Sequence, residues 1–382
     1  MRAARRRGTA RGRGPAPRER IHLVSWAGFP NYGDELIAER WLRFLAEARP
    51  EAEVWLDTRF PGMTASLFGD LHPHLRATDV LFRTLDAVLR DPSRSIEELV
   101  ADHGSPAFDL ALQDLGRADT LHVLGGGFFH SHWPEHALLL DALREVSRRS
   151  GARLLATGQG LMPAGPAHFE GFAHVSVRDA PSAEHLGIAQ GVDDAYLLPR
   201  GEREEARSAR RSRHAGGSPG EVMVCIQGDL QDEGSFDRHV ELAREALGRL
   251  DVPRERVRYV EAIPGADHPG YVAVRDLVAE DGFVPFADLW RDGLAMGPHQ
   301  LWITTRFHHH LMASLHGARG MALAGRAGYY DVKHRSIAEL GSRWAVVPAG
   351  GELPDLARLK APRSFAAAVR AKREEARALY PR

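Results

Sequence analysis

Arg306 and His308 are the pair in this chain best suited to do chemistry. The run Leu301-Trp302-Ile303-Thr304-Thr305 reads as a buried strand, and His308-His309-His310 opens the helical stretch that follows. An arginine at such a junction presents a planar fork to phosphate or carboxylate, close to the positive end of a helix dipole. A histidine at the helix start supplies a group able to move a proton near neutral pH. Three consecutive helical histidines point about 100° apart, so they cannot converge on one metal ion. They read as one cleft residue, His308, beside neighbours that pack or are solvated. The strand-end position of Arg306 predicts that its removal spares the fold.

Three other loops carry candidates. Gly28-Phe29-Pro30-Asn31-Tyr32-Gly33-Asp34-Glu35 follows an apolar strand. Asn31, Gly33 and Asp34 there fit a helix cap with a turn glycine, or a loop that orders substrate hydroxyls and supplies a carboxylate. Gly125-Gly126-Gly127 follows another strand. Its glycines allow a tight turn and an unobstructed ligand, with backbone N–H groups for an anion, or else simply tight packing. It is neither a G-x-G-x-x-G nor a G-x-x-x-x-G-K-[ST] sequence. Arg178, followed by Asp179 and Ser182, either faces a cleft or belongs to a helix cap. Lys333, after Tyr329-Tyr330-Asp331-Val332, is a further anion ligand candidate. No G-x-S-x-G nucleophile elbow is present. The single cysteine, Cys225, excludes an intramolecular disulfide and a cysteine zinc cluster, and its apolar run predicts a buried strand residue.

These loops need a scaffold, and the rest of the sequence describes one. The 382 residues suffice for about two domains, and a 43% hydrophobic share is that of a globular protein. A net charge of −1 argues against a nucleic-acid partner. No apolar run approaches the roughly 18 residues of a membrane helix, and the N-terminus lacks a secretory apolar core, so the cytoplasm is the expected location. Residues 1–20 hold eight arginines and almost nothing apolar, the composition of a disordered arm. Strands are predicted near 21–26, 54–56, 120–124, 153–157 and 174–177, with helices at 34–49 and 134–149 and a largely helical stretch over 72–118. Residues 200–220 are charged and then rich in Gly, Ser and Pro, as in a linker. Strands then return near 221–226, 256–262, 300–304, 320–324 and 344–347, between helices at 235–250, 270–280, 286–296, 306–317 and 331–341. The expected class is α/β, with two Rossmann-like domains at 21–199 and 221–350 and a helical tail at 351–382. The loops should open on one cleft, where open α/β sheets bind ligands.

In this order the motifs resemble the polysaccharide pyruvyl transferases. Asn31-Tyr32-Gly33-Asp34-Glu35 resembles the family's N-x-G-D-E loop, and Gly125-Gly126-Gly127 its G-G-G strand end. Gly158-Gln159-Gly160-Leu161-Met162-Pro163 resembles G-Q-G-[IL]-x-P. Ser176-Val177-Arg178-Asp179 with Ser182 and Leu186, Arg306-Phe307-His308, and Tyr330 with Lys333 complete the set. The D-P-[VA]-F-x-L ending of the first half is present only as Asp194-Ala195-Tyr196-Leu197-Leu198, without the proline, and His309-His310 replace a usual apolar residue.

The resemblance implies a fold like the B-type glycosyltransferases, with a C-terminal helix crossing back to the first domain. It implies transfer of pyruvyl from phosphoenolpyruvate to two hydroxyls of a sugar or glycan, giving a cyclic ketal and phosphate. No step of that chemistry requires a metal or redox cofactor; phosphoenolpyruvate is a co-substrate. The roles implied are His308 as acid, Asp34 on the acceptor side, and Arg306, Gly125, Gly126, Gly127, Arg178 and Lys333 around the donor. Asn31, Gly33 and Gln159 would order the acceptor or its loops, and acceptor loops are expected within 58–118. A nucleotide-sugar glycosyltransferase shares the architecture, as would a non-catalytic glycan- or anion-binding protein.

Overall fold

The computed structural model describes residues 18–101, 109–201, 220–348 and 350–381. The linker expected at 200–220 and the basic arm lie almost wholly outside the described residues.

Apolar runs without alternation, such as Thr120-Leu121-His122-Val123 and Gln300-Leu301-Trp302-Ile303-Thr304, are the mark of strands covered on both faces, and parallel sheets need such strands. Both runs are buried throughout. The first sheet comprises β1 (Arg20–Val24), β2 (Glu53–Asp57), β3 (Leu75–Thr78), β4 (Thr120–Val123), β5 (Arg153–Gln159) and β6 (His174–Val177). Its order is β3-β2-β1-β4-β5-β6, with every pair parallel. The second comprises β7 (Glu221–Cys225), β8 (Val257–Val260), β9 (Phe283–Val284), β10 (Gln300–Thr304), β11 (Arg319–Ala324) and β12 (Ala345–Pro348). Its order, β12-β11-β10-β7-β8-β9, is the same topology repeated, again all parallel. These are two Rossmann-like sheets, as the alternation predicts.

Chain order reverses between β1 and β4 in one sheet and between β7 and β10 in the other. At such a point adjacent loops diverge and leave a crevice. The Asn31 loop follows β1, the glycine loop follows β4, and Arg306 follows β10. The topology thus delivers three of the predicted loops to the two switch points.

Two elements hold the halves together. The helix Tyr32–Ala48, capped by Asn31, buries Leu36, Ile37, Trp41 and Leu45, and one apolar cluster runs from these to Leu311 and Met312 of the second domain. Tyr32 N–H donates to the Ala262 carbonyl at 3.0 Å. The helix Ala366–Leu379 returns to the first sheet. Its Lys372 is fully buried, with Nζ 2.7 Å from Asp194 Oδ1. Asp194 also accepts from Trp41 Nε1 at 2.7 Å, Thr157 Oγ1 at 2.7 Å and Gly125 N–H at 2.8 Å.

The helical reading of 72–118 needs correction at its start. Leu75-Arg76-Ala77-Thr78 forms β3, an edge strand with a polar, half-exposed face, so neither a helical nor a strand period shows in its sequence. The helix Pro61–Phe68 and the two-residue β9 were also not predicted. Among the described residues, no helix is long and apolar enough to cross a membrane.

Candidate active site

A cavity of about 430 Å³ lies between the two switch points. Asn31, Gly33, Asp34, Gly127, Arg178, Arg306, His308 and Lys333 all line it. Gly125, Gly126 and Gln159 do not. The Gly125 N–H is taken by Asp194. A Cβ at Gly126 would meet the Phe128 ring at 2.8 Å, so close packing explains that glycine. Gln159 is fully buried and donates to the carbonyls of Leu124 at 2.8 Å and Thr157 at 2.9 Å. It ties the end of β4 to β5, behind the cavity.

His308 sits on the first turn of the helix Phe307–Leu315, whose backbone starts at Arg306. The imidazole reaches across the cleft to the first domain. Its buried Nε2 lies 3.5 Å from Asp193 Oδ1. Its Nδ1 lies over Gly33, where a Cβ would come within 1.8 Å of it. Any larger residue at Gly33 must displace the ring. Asp193 itself is anchored: Oδ2 accepts from Arg178 Nη1 at 2.8 Å and Oδ1 from Ala195 N–H at 2.7 Å. Burial alone would raise its titration point, but His308 and Arg178 outweigh burial and hold it well below the usual carboxylate range. A permanent carboxylate facing Nε2 favours the tautomer with its proton there, leaving Nδ1 as the exchanging atom.

Two basic side chains converge beside this histidine. Arg178 stacks over the Phe307 ring at 4.6 Å, and its Nε is buried without a partner. Lys333 Nζ lies 3.5 Å from the Tyr329 ring centroid. A Cβ at Gly127 would come 3.0 Å from Arg178 Nη2 and 3.1 Å from Lys333 Nζ. Gly127 is therefore the residue of the triple glycine whose missing side chain leaves space beside Arg178 and Lys333. Burial, reinforced by Arg178, pushes the Lys333 ammonium well below the ordinary lysine range. A buried, under-compensated positive cluster is what an anionic ligand would relieve.

Arg306 lines the same cavity but is already engaged. Its Nε donates to Asp267 Oδ1 at 2.8 Å and its Nη2 to Asp229 Oδ1 at 2.9 Å. It is only 8% exposed and Asp267 is fully buried, so the expectation that its loss would spare the fold does not hold. Arg306→Ala leaves Asp267 buried without its cation. A loss of about 3–5 kcal/mol in urea-unfolding stability is expected, and an unchanged midpoint would refute it.

On the opposite wall, Asp34 Oδ2 accepts from Asn31 Nδ2 at 2.6 Å. Burial raises the Asp34 carboxyl, against the opposing pull of His308, Arg178 and Lys333. Its neighbour Glu35, also buried, accepts the Gly28 N–H at 2.9 Å and is pushed up to about 8, chiefly by burial. Glu35 shapes the loop rather than the cavity. His309 is buried between the rings of Tyr32 and Trp302. His310 bonds His334 Nδ1 at 3.1 Å and Ser342 Oγ at 2.8 Å. Of the three histidines, His308 and His309 line the cavity and His310 does not; His308 is the one that reaches across to Asp193.

Sequence reasoning missed Asp193, Asp229, Asp267 and the aromatic lining residues Trp26 and Trp133. The only local signal at Asp193 is an acidic doublet in the turn after the sheet, and its partners come from distant segments.

Residues 31–325 match the family model described as polysaccharide pyruvyl transferase. The chain belongs to this family. The matched span covers the Asn31, glycine and Arg306 loops with Arg178 and His308, while Lys333 lies beyond its end. No curated protein matches the chain. Among solved structures it is similar to the UDP-GlcNAc 2-epimerase of Methanocaldococcus jannaschii in complex with UDP-GlcNAc and UDP. That match has 11% identity and a TM-score of 0.50, covering 95% of this chain and 99% of that one. It is also similar to the S. aureus MnaA–UDP structure, with 8% identity and a TM-score of 0.50, covering 95% and 88%. E. coli ADP-heptose LPS heptosyltransferase II follows at 12% identity and a TM-score of 0.36, covering 80% and 84%. At these identities the likeness is one of fold, and it rests on the two matches with a TM-score of 0.50.

Proposed function

We propose that this protein transfers the pyruvyl group of phosphoenolpyruvate to two hydroxyls of a sugar or glycan, forming a cyclic ketal and releasing phosphate. The observation that carries the reading is the juxtaposition, in one cavity, of Arg178 and Lys333 with a carboxylate-backed histidine. Family membership supports the transferase class.

The donor carries a phosphate and a carboxylate, and both need fixed cations. Arg178 and Lys333 meet that need, with Gly127 leaving room for the anion. The methylene carbon of the enol must accept a proton before C2 becomes electrophilic. His308 Nδ1 is the atom placed to deliver it, with the Nε2 proton retained against Asp193. A sugar hydroxyl then adds to C2 and gives its proton to Asp34, whose raised affinity for protons suits a base of this kind. The C2–O bond to phosphate breaks, the departing oxygen taking the proton that Asp34 received, and the second hydroxyl closes the ketal on the same carbon, returning its proton to His308. Both side chains are thereby restored, and each donor yields one ketal and one phosphate.

The test is incubation of the protein with phosphoenolpyruvate and a panel of glycosides, read by mass spectrometry and phosphate release. A pyruvyl-ketal mass gain with one phosphate per ketal is expected. Stabilisation by UDP or GDP but not by phosphoenolpyruvate in a thermal-shift experiment would instead indicate a nucleotide-sugar enzyme.

A further inference from the structure

The cavity has a second pole that the anionic donor does not use. Trp26, Phe29, Phe128 and Trp133, all from the first domain, line it. Trp26 stacks on Phe128 with centroids 6.0 Å apart and on Trp133 at 6.5 Å. The platform is held from behind. The Arg59 guanidinium lies 5.6 Å from the Trp26 ring centroid and is itself fixed 2.9 Å from Asp86. Phe29 is 51% exposed, beside the 43% exposed Phe60 at 5.6 Å between ring centroids. Large apolar rings left open to water in a cleft mark a binding surface. Packing does not account for Phe29, since half of it touches nothing.

Asp34 and Asn31 stand in the same cavity as these rings. The combination of flat apolar faces with a carboxylate and an amide nearby selects the ligand class. A phosphate or carboxylate would be repelled by Asp34 and desolvated against the rings. A pyranose fits, because its C–H face can lie on an aromatic ring while its hydroxyl edge meets Asp34 and Asn31.

We infer that Trp26, Phe29 and Trp133 form the acceptor subsite and take a neutral hexopyranose unit by face stacking. The inference rests on the pyruvyl-transfer reading for the identity of the reaction. The geometry of the rings, though, can be tested without turnover. Stacking sets the sugar's hydroxyl edge toward Asp34 and the donor pole, so the rings determine which diol reaches C2.

The experiment is saturation-transfer NMR on the full chain with methyl α-mannopyranoside and methyl β-galactopyranoside, with UMP as competitor. Phosphoenolpyruvate thermal shifts are measured on the same samples. Ring protons of at least one glycoside should receive saturation from the wild-type protein. Phe29→Ala, at a half-exposed position, should weaken that glycoside roughly tenfold while leaving the phosphoenolpyruvate shift unchanged. Trp133→Leu should do the same, with circular dichroism verifying its fold. Absence of glycoside binding to the wild type, or equal affinity in wild type and Phe29→Ala, overturns the inference. So does displacement of the glycoside by UMP, which would make the rings a nucleobase platform. If phosphoenolpyruvate fails to stabilise the wild type, the proposed reaction fails, and the glycoside results still decide the subsite.

Discussion

His308→Ala is expected to lower kcat by about 10²- to 10⁴-fold, the range for losing a positioned acid–base group, with little change in donor affinity. In the proposed reaction Arg178 and Lys333, which stand closest to Gly127, hold the donor's anionic groups rather than the imidazole. Phosphoenolpyruvate should therefore still raise the melting temperature of the variant. Its neighbours give the contrast. His309 is enclosed by Tyr32 and Trp302, and burial holds it near 3, neutral at all working pH values. His309→Ala should lower stability through a cavity. His310→Ala should do so through the lost bonds to His334 and Ser342. Neither change should lower kcat in the surviving folded protein by more than a few-fold. Asp193→Asn removes the charge facing Nε2. Losing the carboxylate that orients the ring should lower kcat more than it alters donor affinity. Wild-type kcat in Asp193→Asn, or a larger kcat loss in His309→Ala than in His308→Ala, would overturn the assignment.

The two sheets were legible because both are built from strands buried on each face. Runs such as Val222-Met223-Val224-Cys225-Ile226 have no reading but a central strand, and Cys225 is fully buried there. The β3 edge was not legible, since Leu75 and Ala77 lack the apolar weight that marks a covered strand. The cleft side chains were legible in part. Lys333 and Arg178 carry charges at loop or helix starts, where burial in a core would be costly, so a cleft is the natural place for them. Asp193 was not legible, because its role depends on His308 of the other domain arriving at 3.5 Å. The same blindness affected Arg306. Sequence places it at a strand end, but only the structure reveals Asp267 and Asp229 closing around its guanidinium. The triple glycine divides for a related reason. Three identical residues in sequence meet Asp194, Phe128 and the Arg178–Lys333 pair in space.

Lys333→Met should weaken phosphoenolpyruvate by roughly 30- to 150-fold, corresponding to about 2–3 kcal/mol for a charged hydrogen bond in a desolvated site. Methionine keeps the apolar stem against Tyr329, so the loss reports the charge rather than the packing. The wild-type protein should also show a pH signature that the variant lacks. Burial, with Arg178 beside it, depresses the Lys333 ammonium from its ordinary 10.5. Between that depressed value and 10.5, the unfolded chain binds a proton that the free folded protein does not. The stability of the free protein therefore rises with pH across this window, and Lys333→Met should be the more stable protein at its lower end. Donor binding reverses the preference, since phosphate and carboxylate favour the ammonium. Above about pH 7.5 the donor's phosphate is fully ionised, so a proton taken up on binding comes to the protein. At a pH above the depressed value, calorimetric titration in buffers of different ionisation heat should then find proton uptake with the wild type and none with Lys333→Met. Wild-type affinity should fall as pH rises through that window. Unchanged phosphoenolpyruvate affinity in Lys333→Met would place the donor's charges on Arg178 alone and remove Lys333 from the site.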